Sequence, residues 1–138
     1  MTRRHIATAL VLAGAAALAA VPAHAGVVQL TRKPQKRTVK VLDNYFQPTK
    51  GFDGSGQPAK LTVDPGSTVT WRWDANAAEI HDVKLVRAPK GVRRWQSDPG
   101  GYGYVFRRRF KVSGTYRLVC TFHVADGMKM TIVVRKAR

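Results

Sequence analysis

A thiol, an imidazole and a thioether occur within one nine-residue stretch, Cys120-Thr121-Phe122-His123-Val124-Ala125-Asp126-Gly127-Met128. Each can bind a metal, and soft sulfur donors combined with imidazole select a metal of copper's character. The only histidine outside this stretch and the first 25 residues is His81, so two imidazoles, one thiol and one thioether are available for a single site. Two imidazoles and a thiolate in a plane, with a weak axial thioether, suit copper in both oxidation states, whereas zinc takes Cys, His or carboxylate and rarely Met. Taken singly, each residue has an ordinary explanation. An inward histidine is commonly a satisfied core residue, and Met and free Cys commonly just fill space. A Cys120–histidine nucleophile pair is the competing chemistry, but it lacks an obvious third residue to orient the base and a glycine-rich oxyanion loop.

Convergence of these side chains depends on the elements that carry them. Cys120 shares strand parity with Tyr116 and Leu118, His81 with Val83 and Leu85, and Met128 with Met130, Ile132 and Val134. Alternation with period two and one apolar face is the pattern of a half-buried strand, so all three face inward, and the loop from Cys120 to Met128 carries His123 past them. Thr68–Trp73 shows the same pattern, and shorter strands are expected near Thr38–Leu42, Leu61–Val63, Ile80–Val86 and Tyr104–Lys111. Turn signals at Pro65-Gly66, Pro89–Gly91, Pro99–Gly101 and Ser113-Gly114 separate them, and no long stretch after residue 25 has a helical period. The expected fold class is therefore all-β, an antiparallel sandwich of about seven or eight strands. Arg108 breaks the pattern, because it shares parity with Tyr104, Phe106 and Phe110; a bulge or a snorkelling guanidinium is expected there. Gly51–Pro58, with three glycines, reads as a surface loop.

At these residues the chain resembles the cupredoxin family, the plastocyanin- and azurin-like blue-copper proteins, over roughly Thr38 to Val134. The spacing from Cys120 to His123 to Met128 is similar to plastocyanin's ligand loop. Gly114-Thr115-Tyr116, Phe46-Gln47-Pro48, Leu61-Thr62-Val63, Pro65–Trp71 and His81-Asp82-Val83 are similar to other family blocks. The resemblance implies a Greek-key sandwich with one type-1 copper per chain, held by His81, Cys120, His123 and Met128 and used for one-electron transfer rather than catalysis. It also implies that His123 is the exposed ligand, set in an apolar patch of Phe122, Val124 and Ala125, and that Asp82 hydrogen-bonds Thr121 behind the site. Three departures stand out: Asp82 where Asn is usual, Phe122 where Pro or a small residue is frequent, and Trp73 where Asn is common.

The first residues read as an address. Arg3 and Arg4 precede an apolar run from Ile6 to Val21, Pro22 closes it, and Ala23-His24-Ala25 offers a cleavage site. The run is short for a membrane span, so residues 1–25 are expected to be a signal peptide, 26–36 a flexible basic linker, and 37–138 the copper domain. The protein is then exported to a periplasm, cell surface or exterior, without a transmembrane span after cleavage near Ala25. A lone cysteine precludes a disulfide within the chain. The whole sequence carries 24 lysines and arginines against 8 acidic residues; losing Arg3 and Arg4 with the leader leaves 22 against 8. So basic a chain is expected to meet an acidic redox protein or an anionic cell-surface component, with no specific nucleic-acid role and as a monomer. Two rival functions share the same ligands: copper storage or delivery without electron shuttling, and a basic adhesion domain with a vestigial copper site.

Overall fold

The computed structural model describes residues 32–49 and 58–137. The expected signal peptide, most of the expected linker and nearly all of the 51–58 loop lie outside them. Eight strands follow in order: β1 Lys36–Leu42, β2 Tyr45–Pro48, β3 Ala59–Val63, β4 Ser67–Trp73, β5 Lys84–Arg87, β6 Val105–Phe110, β7 Gly114–Val119 and β8 Lys129–Val134. They form two four-stranded sheets, β2-β1-β4-β6 and β3-β8-β7-β5. The described residues include no helix long and apolar enough to cross a membrane.

The expected sandwich is present, with one refinement to its antiparallel character. β1 pairs with β4, and β3 with β8, in parallel; the other pairings are antiparallel. A parallel pair needs a connection that crosses over, which the intervening strands supply here by passing to the other sheet. The alternation legible in β4 holds residue by residue, with Val69, Trp71 and Trp73 buried and Thr68, Thr70 and Arg72 turned outward. Inward faces of both sheets meet in one core built around Phe46, Trp71, Leu85, Leu118, Met130 and Ile132, all almost completely buried. Each such side chain contributes roughly 1.5–3 kcal/mol of burial. Tyr116 stays in this core because its hydroxyl donates to Val112 O at 2.6 Å, a tyrosine corner that closes the turn before β7.

Arg108 resolves the parity conflict by snorkelling. β4 and β6 stay in continuous register from Ser67↔Phe110 to Arg72↔Val105, so no bulge is present. The Arg108 guanidinium lies 5.2 Å from the ring centres of both Trp95 and Phe106 and caps the open edge of the core while remaining exposed. The last part of the expected linker is tied to the domain, since Ser67 Oγ accepts from Gln35 N and Gln35 O accepts from Thr68 N.

Candidate metal centre

Four segments meet at one end of the sandwich. They are the β1–β2 turn, the 74–83 connection after β4, the 98–104 segment before β6, and the 120–128 loop between β7 and β8. Trp73 closes β4, and its indole Nε1 donates to His81 O at 3.2 Å, which fixes the chain as it enters the site. His81 exchanges both backbone hydrogen bonds with Gly100, at 3.0 and 2.9 Å. Only glycine fits at position 100, because a Cβ there would sit 2.6 Å from the ring of Tyr104, which itself packs edge-on against Trp73.

The ligand loop closes on itself. Cys120 N donates to Met128 O at 3.1 Å and Met128 N to His123 O at 3.0 Å, while Gly127 N donates to Val124 O. Gly127 has a φ of 89°, in the left-handed region that favours glycine, and so lets the loop turn into β8. Within this frame Cys120 Sγ lies 3.8 Å from His81 Nδ1 and 3.6 Å from His123 Nδ1. The three donor atoms lie within 4.8 Å of one another, and they form the one such cluster among the described residues. A first-row ion that holds nitrogen at about 2.05 Å and sulfur at about 2.3 Å, with angles near 120°, separates them by roughly 3.8 Å. The residues therefore fit the ion in type and in spacing. Met128 is fully buried, and its backbone bonds both to Cys120 and to His123.

Asp82 stands behind the sulfur. It is completely buried, yet its carboxylate accepts three hydrogen bonds of 2.6 Å, from Thr121 N, Thr121 Oγ1 and Gln96 Nε2. The Asp82–Thr121 tie implied by the resemblance is thus present, and Gln96 adds a third donor. Burial pushes the Cys120 thiol above its ordinary value, against a smaller opposing pull from backbone amides, that of Asp82 first. A thiolate at this position consequently depends on a bound cation for its stability.

Two further carboxylates escaped the sequence reading. Asp43, in the turn after β1, lies 3.1 Å from His81 Nε2, and Glu79 lies 2.6 Å from His123 Nε2. With each Nδ1 turned toward the sulfur, each Nε2 carries the ring hydrogen and donates it to a carboxylate, an arrangement that fixes ring orientation and raises ligand basicity. Asp43 also accepts from the amides of Ala78 and Glu79, and so holds the loop that carries Glu79. The hydrogen bond from His81, helped by those amides, keeps the Asp43 carboxyl below its ordinary value despite some desolvation. One clue in the sequence was the rarity of acids in so basic a chain: Glu79 falls two residues from His81.

Residues 55–135 match the family model of copper-binding proteins of the plastocyanin/azurin family. The chain belongs to that family. It is 36% identical over 78 residues to halocyanin of Natronomonas pharaonis, a match covering 56% of this chain and 46% of that protein. It is 34% identical over 89 residues to a pseudoazurin-type protein of Rhizobium leguminosarum bv. viciae, covering 62% and 55% respectively. The chain thus spans about half the length of the curated relatives it matches. Among solved structures, a reduced amicyanin variant superposes with a TM-score of 0.55 at 24% identity, over 71% of this chain and 80% of that one, a likeness of fold. His81, Cys120 and His123 form a type-1 copper site in a cupredoxin fold, one per chain among the described residues.

The two histidine-bound carboxylates lead to an expected result. Asp43→Asn and Glu79→Gln keep shape and a carbonyl acceptor but remove the negative charge, so each imidazole becomes a weaker donor. Copper affinity should fall by about ten- to a hundredfold for Asp43→Asn, and by less for the exposed Glu79. The reduction potential should rise in both, because a weaker donor favours Cu(II) less. Chelator competition and voltammetry measure these effects; unchanged values in both variants would show that the carboxylates only hold the loop.

Proposed function

We propose that the protein is an exported one-electron carrier in which His81, Cys120, His123 and Met128 would hold the copper ion. The observation that supports this most is the contrast in exposure within one preformed donor set. Cys120, His81 and Met128 are fully buried, while the His123 side chain keeps 15% of its surface exposed. Bound copper would supply reversible acceptance and release of one electron. The protein's own contribution is to hold the donors at a spacing acceptable to both oxidation states, exclude water from the sulfur, and leave one imidazole edge near the surface.

With four protein ligands no position is left for a substrate, which favours a carrier over an enzyme. Around His123, Ile80, Phe122 and Val124 are exposed by 51%, 53% and 40%, an apolar surface suited to close approach of a redox partner. The carboxylates of Asp43, Glu79 and Asp126 lie at the same end. In this reading the partner meets the site through apolar contact, and the anionic partner expected from the net charge meets other faces. The carrier acts as a monomer, released from its leader at residue 25.

Repeated voltammetric cycling of the copper-loaded protein tests the proposal. A reversible one-electron wave with copper retained supports the carrier. Loss of copper to a competing chelator at each reduction would overturn it in favour of a delivery protein.

A further inference from the structure

The positive charge is not spread evenly over the molecule. Of the acidic residues described, Asp43, Asp74, Glu79, Asp82, Asp98 and Asp126 all lie in the connections at the metal end, where Lys40, Arg72, Lys84 and Lys129 are the basic residues of the adjoining strand ends. The one remaining acid, Asp64, lies at the opposite end and is buried, bonded to Arg135 at 3.0 Å and within 3.8 Å of Arg32. That opposite pole carries Lys90, Arg109, Lys111, Arg135 and Lys136, beside the start of β7 and at the ends of β6 and β8. All but Arg135 among these five are exposed and make no ion pair with any described residue. Lys90 belongs to this pole because Pro89, beside it, packs where a Cβ of Gly114 at the start of β7 would sit. Strands of six or seven residues separate the poles by about 20 Å. That exceeds a physiological Debye length of about 8 Å, so the two ends present separate fields to whatever approaches.

We infer that the basic pole docks on the anionic headgroups of a phospholipid bilayer and leaves the metal end facing away. Charge complementarity sets the sign of the partner, and two observations favour a lipid surface. The cations come from several separate elements around the pole, which matches a laterally uniform plane of charge better than a discrete acidic site. Among the described residues the pole also lacks the aromatic and apolar centre that a specific protein interface requires, since Val112 is the only large exposed hydrophobic residue there. Ile80, Tyr102, Phe122 and Val124, the other such residues, sit with the metal site. Docked in this way, the protein keeps the His123 edge open to a partner.

Cosedimentation with vesicles tests this, read by protein stain and therefore independent of whether copper is bound. Vesicles of equal parts phosphatidylglycerol and phosphatidylcholine should bind the protein, and pure phosphatidylcholine vesicles should not. Replacing Lys90, Lys111 and Lys136 by Gln should weaken binding by roughly a hundredfold. Replacing Arg72, Lys84 and Lys129 by Gln removes the same charge from the metal end and should weaken it far less. Circular dichroism verifies that both variants are folded. Equal losses in the two variants would mean that net charge alone acts, and would overturn a docking pole. Failure to bind the anionic vesicles while binding an acidic protein would overturn the lipid assignment.

Discussion

Cys120→Ser should abolish the intense visible absorption of the copper-loaded protein and eliminate its type-1 character. The band arises from charge transfer between a thiolate and Cu(II), and Cys120 is the protein's only cysteine. A serine hydroxyl is a hard, neutral donor at physiological pH and lies in a pocket whose burial already disfavours the charged thiolate. The fold should survive, because Ser is close to Cys in volume and Cys120 N bonds Met128 O through the backbone. Absorption spectra of wild type and variant after addition of Cu(II), with circular dichroism as the folding control, check both parts. A variant that remained intensely coloured would remove Cys120 from the site.

The second large effect falls on stability. Asp82→Ala takes away a fully buried carboxylate that accepts three hydrogen bonds of 2.6 Å, and so leaves Thr121 N and Thr121 Oγ1 in want of an acceptor, while the exposed Gln96 amide can turn to water. A buried donor left without its acceptor costs about 1–3 kcal/mol, a large share of the stability of a domain this size. Asp82→Asn should cost less, since its carbonyl oxygen can still accept from Thr121 N. Denaturant unfolding of the metal-free proteins measures the difference directly, without the contribution of bound metal. A loss below about 1 kcal/mol for Asp82→Ala would mean that the network is not integral to the fold.

Much of this architecture was legible in the sequence because strands advertise their buried face every second residue. Parity alone placed Cys120, His81 and Met128 on inward faces, and the structure buries all three. The expected strand over 80–86 proved shorter: β5 begins at Lys84, and His81 is held instead by an isolated bridge to Gly100. Pattern cannot distinguish a ladder from a bridge, because both turn the same side chains inward. Arg108 illustrates the opposite limit. Its parity was read correctly, but whether a bulge or a long side chain would relieve the conflict depended on Trp95, a residue outside any strand.

Asp43 and Glu79 were missed for a related reason. Both carboxylates lie in connecting segments, where no periodicity tells which way a side chain points, and Asp43 reaches His81 across 38 residues of sequence. The polar segregation of charge was hidden in the same way. A net charge sums over the chain, whereas the field at each end depends on which strand termini the topology gathers together. The family spacing from Cys120 to Met128 did reveal the ligand loop, since a loop bounded by two antiparallel neighbours keeps its ends close whatever the rest of the chain does.

The central claim is that one sulfur and two imidazole nitrogens share a single copper ion. X-ray absorption of the copper-loaded protein at the copper edge tests it most directly. One short sulfur scatterer with two imidazole nitrogens is the expected first shell, and the sulfur should vanish in Cys120→Ser. A wild-type shell of nitrogen and oxygen alone, with no short sulfur, would contradict the account.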